Sequence, residues 1–393
     1  MPESSPHAVV VGAGYAGVMA ANRILSAAPV PHRPAVRVTV VNPRPDFVER
    51  IRLHQLVAGT GTALVPLADV LHPEARVRVG AVDRIDAGTR TLHFTNGSPL
   101  AYDYLVYAVG SRAATGAVPG VAEHAFTLAE LEPASALQAR LAALGEHGRV
   151  TVVGGGPTGI EVVSELAEQR PDLRFTLICA GPVAPGMSDA ARRAVTRGLR
   201  HLGVRLVTGL PVAAVAEGEV KLIDGTTRPG DLTIWAATFE VPELARRSGL
   251  PTDPAGRLRT DATLGCVGHP EIVAIGDAAA PPAELAGHVR MSCQGALPLG
   301  AHGADTVLAL MAGQAPRPLS IGFVAQCLSL GRAMGVVQFT RRDDTPRRLV
   351  LHGRLGRAVK ERVCRQTISW LRDTASGSGY RWPAGPASMI IQR

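Results

Sequence analysis

The chain has 393 residues, enough for two or three domains, and its 46% apolar content with only 4% aromatics means that the cores must be built from Ala, Val and Leu. The formal charge of +8 comes almost wholly from Arg, with Lys only at 221 and 360; this is weak support for a nucleic-acid partner, and no zinc-finger or RNA-binding signature accompanies it. No apolar run is long enough to span a bilayer, no signal-peptide pattern opens the chain, and five cysteines without a C-x-x-C pair suit a reducing cytoplasm, so we expect a cytoplasmic protein without a metal centre.

The first element is a β-branched run, Val9-Val10-Val11, that enters Gly12-Ala13-Gly14-Tyr15-Ala16-Gly17 and then a helical segment. In such a G-x-G-x-x-G turn the first glycine allows the sharp bend, the second admits a pyrophosphate to the backbone, and the third lets helix and strand pack closely. The helix N-terminus then faces the phosphates with free N–H groups. A buried strand over Val36–Val41 follows, then Arg76–Val79, Thr91–Phe94, an Asn96-Gly97 turn and the closing strand Tyr104–Gly110.

The same plan recurs from Val150. A second fingerprint, Gly154-Gly155-Gly156-Pro157-Thr158-Gly159, opens a second helix. Arg174–Ile178, Val204–Val207, Val220–Ile223, an Asp224-Gly225 turn and Leu232–Ala236 complete it. Beyond residue 260, Glu271–Ile275 is one more buried strand and ends in Gly276-Asp277. Phe323–Phe339 has strand and turn features. Arg354–Arg372 reads as a basic amphipathic helix, with Leu355, Val359, Val363, Thr367 and Leu371 spaced i, i+4 as its apolar face. Such a helix suits either a contact with an anionic bilayer or a cover over the protein itself.

One fingerprint is a weak signal; two, each opening its own βαβ unit, point to two dinucleotides held by one protein. The fold expected is α/β, with two Rossmann-like domains; resemblance to glutathione-reductase-like flavoproteins implies that the second is inserted in the first and that a small C-terminal α+β region follows.

The segments Gly12–Gly17, Tyr102–Ser111, Gly154–Glu161 and Ala274–Ala279, in this order, resemble those of the two-dinucleotide flavoproteins, and most closely the type II NADH dehydrogenases (NADH:quinone oxidoreductases). The resemblance covers residues 7 to about 310. It implies an FAD domain over 1–115 and 260–320, an NAD(P)H domain over 116–259, and a C-terminal region over 321–393. It also implies FAD on Gly12, Ala13, Gly14, Tyr15, Ala16, Gly17, Asn42, Arg52, Gln55, Gly110, Gly276 and Asp277, with His54 a further candidate. NADH or NADPH is expected on Gly154, Gly155, Gly156, Thr158 and Gly159. Glu161 would lie near the contact of nicotinamide and flavin, and Gln294 beside the acceptor, a quinone or another small planar molecule. Peripheral contact with the inner face of a membrane through 354–372, and a homodimer, are compatible with the same family.

Three positions depart from the family pattern. Asn42 stands where an acidic residue normally holds the adenosine ribose of FAD. Cys179 stands at the matching point of the second unit, with no Arg beside it and Arg192 and Arg193 on the following helix. Pro298 replaces the second Gln of the acceptor segment, while the preceding 287–292 stretch adds polar groups. Two other readings therefore stay open: a flavin-dependent oxidase or dehydrogenase that tailors a small organic substrate, and a non-catalytic NAD(P)H-binding redox sensor resembling apoptosis-inducing-factor-like proteins. The lack of a cysteine pair beside either fingerprint argues against a dithiol relay.

Overall fold

The computed structural model describes residues 5–27 and 36–386. Two parallel sheets carry the fingerprints. In the larger, strands run in the order Gly265–Cys266, His269–Ala274, Tyr104–Tyr107, His7–Val11, Arg37–Asn42 and Arg76–Val79; all pair in parallel except the short Gly265–Cys266 edge. The second orders Ala125–Thr127, Leu232–Trp235, Arg149–Val153, Arg174–Cys179 and Arg205–Thr208, all parallel. In both, the fingerprint strand is central, flanked by the next strand on one side and the closing strand on the other. Every residue of His7–Val11 is buried, as a strand covered on two faces requires.

Each unit also carries a three-stranded antiparallel excursion: Val82–Asp86, Thr91–Phe94 and Leu100–Ala101 in the first, and Val212–Ala216, Glu219–Leu222 and Thr227–Pro229 in the second. The Asn96-Gly97 and Asp224-Gly225 turns close hairpins within these excursions, each to a short strand that hydropathy alone did not reveal. A third antiparallel sheet, Ala325–Leu330, Met334–Thr340 and Pro346–His352, precedes the helix Gly353–Ala375.

That last helix corrects one sequence expectation. Its buried face is Gly356, Cys364, Thr367, Leu371 and Thr374, whereas Leu355 is 69% and Val363 39% exposed. Two local demands rotate the seam. A Cβ at Gly356 would overlap the Gly335 carbonyl, so only glycine fits against that strand. One turn on, Lys360 is drawn inward by a carboxylate, so a charged side chain occupies the buried seam. The helix packs on both the first fingerprint helix, Tyr15–Leu25, and the sheet before it, so it ties the C-terminal sheet to the first unit.

Candidate functional site

Both fingerprints form the same cradle. Gly12 and Gly154 have φ of +106° and +130°, and a Cβ on either would overlap a carbonyl of the closing strand's end, Ala108 or Ala236. Gly17 and Gly159 touch the carbonyls of Gly12 and Gly154 in the same way. Gly14 and Gly156 are different: they cap the helices Tyr15–Leu25 and Pro157–Gln169, and no heavy atom lies within 4 Å of where their Cβ would be. Outer glycines that satisfy packing and a middle one that faces open space are what a dinucleotide pyrophosphate needs.

The tip of the second strand meets the second fingerprint residue in both units. Asn42 Oδ1 accepts the Ala13 N–H at 3.1 Å while its Nδ2 donates to the Arg44 carbonyl at 2.8 Å. In the second unit Cys179, 1% exposed, packs so tightly that a Cβ on Gly155 would lie 2.8 Å from its Sγ. Burial pushes this thiol up to about 11, so it is uncharged at neutral pH.

Opposite the first cradle, the ends of two strands converge. Ser111 Oγ donates to Asp277 Oδ2 at 2.7 Å, and Arg50 Nη1 donates to Ser111 Oγ at 3.3 Å. Gly110 and Gly276, both at φ +68°, make the turns that bring these groups together. Tyr15 packs edge-on against Phe47 with its buried hydroxyl unpartnered among the described residues. Arg52 and Gln55, expected near the cofactor, are bonded to each other: Arg52 donates to Gln55 Oε1 at 3.1 Å and pairs with Glu49 and Glu361. Arg50, which the sequence reading passed over, is the arginine that reaches the Asp277 cluster.

Glu161 lies in the first turns of the second fingerprint helix and is 7% exposed. Its Oε1 is 3.0 Å from Lys360 Nζ, 2.9 Å from the Ser329 N–H and 3.2 Å from Ser329 Oγ. Burial opposes the charge of each partner, yet the opposite charge prevails: the carboxyl is held below its usual range and the ammonium well above its own. His54 stands in the same electrostatic environment, fully enclosed, with Nε2 unpartnered among the described residues, and burial pushes it down to about 4. Four residues beyond Glu161, Glu165 accepts Thr60 Oγ1 at 2.5 Å; its burial outweighs that bond and raises its carboxyl.

Gln294 sits in the first turn of the helix Cys293–Met311. Its Oε1 accepts from Arg290 Nη2 at 3.1 Å; Arg290 also pairs with Asp344 and lies over the Phe323 ring, 4.7 Å from its centre. Gln326 joins Asp344 at 3.1 Å. Pro298, four residues after Gln294, has no N–H to give the Gln294 carbonyl. The Gln294 carbonyl therefore lacks its i+4 donor at the helix start, where Arg290 and Asp344 gather beside the same residue.

Residues 6–299 match the family model described as pyridine nucleotide-disulphide oxidoreductase. The chain belongs to this family. Within it the chain is 32% identical, over 375 residues covering 90% of this chain and 92% of the relative, to an NADH dehydrogenase-like protein of Mycobacterium tuberculosis. It is 28% identical to a type II NADH:quinone oxidoreductase of Staphylococcus haemolyticus, covering 88% of this chain and 92% of the other. Among solved structures, the sulfide:quinone oxidoreductase of Aquifex aeolicus superimposes with a TM-score of 0.79 at 18% identity (94% of this chain, 92% of that one). NDH2 of Plasmodium falciparum in complex with NADH gives 0.78 at 15% identity (95% and 97%). The last two establish the shared two-dinucleotide fold.

In this pyridine nucleotide-disulphide oxidoreductase all five cysteines are free. Lys360 and Ser329 are site residues that sequence reasoning missed. A faint signal for Lys360 exists: in a chain that uses Arg almost everywhere, Lys stands only at 221 and 360, and the second falls inside a basic helix. Among the described residues no helix is long and apolar enough to cross a membrane.

Proposed function

We infer that the protein is an FAD-dependent oxidoreductase that takes hydride from NAD(P)H and passes the electrons to a quinone-like acceptor. The observation that carries this is the pair of equivalent dinucleotide cradles in one chain, with the buried Glu161–Lys360 pair beside the second. The relatives named as NADH:quinone oxidoreductases support the acceptor class. We assign FAD to the first cradle, within 1–115 and 260–320, and NAD(P)H to the second, within 116–259. The open space at Gly14, the buried orphan hydroxyl of Tyr15 and the Asp277 carboxylate fit FAD: Asp277, Ser111 and Arg50 would hold its sugar-chain or phosphate region through charge-assisted hydrogen bonds. When bound, FAD supplies a two-electron centre between nicotinamide and acceptor.

The protein's own residues then have separate tasks. Gly154, Gly156 and Gly159 orient the nucleotide through backbone N–H groups and close packing. Reducing a quinone to a quinol consumes two protons as well as two electrons; Lys360, held protonated against the Glu161 carboxylate, would supply a fixed positive charge beside the second cradle rather than one of those protons. Gln294, fixed by Arg290, presents its amide to the acceptor. Exposed Leu355 and Val363 beside Arg354, Arg357 and Arg362 support peripheral contact with an anionic bilayer through 354–372.

The test is anaerobic reduction of the FAD-loaded protein by NADH and by NADPH, followed by a soluble quinone. Rapid bleaching of the flavin band and fast recovery on quinone are expected. No bleaching by either nucleotide overturns the reading and favours direct oxidation of an organic substrate. Slow turnover with a persistent reduced complex favours a sensor.

A further inference from the structure

The adenosine end of the second nucleotide site has an unusual composition. In a Rossmann unit the residue at the tip of the second strand reads the ribose: a carboxylate there binds the free 2′-hydroxyl and repels a 2′-phosphate, while a nearby Arg accepts the phosphate. Here the strand Arg174–Cys179 ends in a thiol that is turned inward against Gly155 and serves as packing. The connection that follows, Ala180-Gly181-Pro182-Val183-Ala184-Pro185-Gly186-Met187, carries no charged or hydrogen-bonding side chain. It is also fixed in place: the Ala184 N–H donates to the Gly155 carbonyl at 2.9 Å, and Val183, Ala184 and Met187 are buried. The first acid beyond it, Asp189, is paired with Arg192 on the same helix, and Arg193 beside them is exposed. The strand tip therefore offers neither a carboxylate to repel a 2′-phosphate nor an adjoining Arg to demand one.

We propose that the nucleotide site does not discriminate between NADH and NADPH, and that the strand tip at Cys179-Ala180 is the position that sets this tolerance. The inference rests on the assignment of NAD(P)H to the second cradle. A carboxylate introduced at 179 would meet the 2′-phosphate with like charge. A cation at 180, an exposed position, would attract it without disturbing the core.

The experiment measures equilibrium binding of NAD+ and NADP+ to the FAD-loaded full chain by calorimetry, with ADP-ribose and 2′-phospho-ADP-ribose as competitors that carry no nicotinamide. The wild-type protein should bind the two nucleotides within about threefold of each other, and A180R should tighten NADP+ alone by about fivefold, the upper end of what one exposed charge pair contributes. C179E, if it folds, should weaken NADP+ by a similar factor and leave NAD+ nearly unchanged. A wild-type preference for either nucleotide beyond about tenfold overturns the proposal, as does an A180R protein whose NADP+ affinity does not move. Equal binding without quinone reduction leaves this inference standing and removes the quinone reading, whereas failure to bind either nucleotide removes both.

Discussion

Lys360 Nζ lies 3.0 Å from Glu161 Oε1, and the contact joins the last helix to the second fingerprint helix. Both side chains are largely enclosed, at 12% and 9% exposure, so each charge depends on the other. Removing one partner of such a pair leaves the other uncompensated, at a cost of about 3–5 kcal/mol. The two single variants should differ. In K360M the Glu161 carboxylate keeps the Ser329 N–H and hydroxyl as donors. In E161Q the ammonium has no charge to replace the one it lost. Urea unfolding should therefore show E161Q as the more destabilised, and the double variant should recover part of the loss.

His54 predicts an acid limit. Its imidazole is held neutral by burial, at about 4 against 6.5 in an open chain, with Glu161 pulling it up and Lys360, Arg332 and Arg52 pushing it down. A depressed folded value contributes stability that is fully present above pH 6.5 and lost as pH falls toward 4, because the unfolded chain takes up the proton first. The shift corresponds to about 3 kcal/mol. Thermal unfolding followed from pH 7.5 to 4 should show a steep decline in the wild type and a flatter one in H54Q. Parallel curves would rule out a neutral buried imidazole.

Asp277 predicts flavin content. Its carboxylate receives the Ser111 hydroxyl at 2.7 Å at the mouth of the first cradle. A lost charge-assisted hydrogen bond costs about 1.5–3 kcal/mol, so D277A should bind FAD roughly 10- to 100-fold more weakly. D277N, which keeps an acceptor for Ser111, should lose less. Dialysis equilibrium with fluorescence of released FAD measures both, and an unchanged affinity in D277A would place FAD away from this cluster.

What the sequence made legible follows the range of the signal. The fingerprints were readable because one strand, one turn and one helix are contiguous, and the glycine spacing is imposed by contacts made on the spot, such as Gly17 against the Gly12 carbonyl. The Asp224-Gly225 turn was equally local, but its partner strand Thr227–Pro229 is too short and polar to show a hydropathy period. Lys360 was hidden because its partner Glu161 belongs to another domain-scale unit, and no periodicity links them. The same pair made the last helix misleading: extending Leu355, Val359 and Val363 at i, i+4 assumes that apolar residues define the buried face, whereas Gly356 and Lys360 do. Arg50 and Arg52 stand two residues apart in one short turn, and which of them reaches Ser111 is decided by backbone geometry alone. Asn42 and Cys179 could be recognised as departures, but the inward packing of Cys179 under Gly155 could not.

Gly300 predicts a substitution whose sign reverses the usual rule. It lies in the middle of the helix Cys293–Met311, where replacing Gly with Ala ordinarily stabilises by about 1 kcal/mol. Here the helix crosses the first fingerprint helix at this residue, and a Cβ would overlap the carbonyl oxygen of Ala16 and lie 2.9 Å from its Cα. The obstacle is backbone, so it cannot rotate aside as a side chain would, and the helices must separate. Overpacking of this kind costs about 1–3 kcal/mol, which exceeds the propensity gain. Ala16 and Gly17 form the base of the first cradle, so separation would also disturb the place assigned to FAD. G300A should thus unfold at lower urea concentration than the wild type and lose flavin more readily on dilution. A control at Gly313, just past the helix end with φ +64° and no neighbour within 4 Å, should lose stability through backbone strain alone and keep its flavin. Equal flavin loss in both variants would mean that the helix crossing at Gly300 has no special bearing on the cradle.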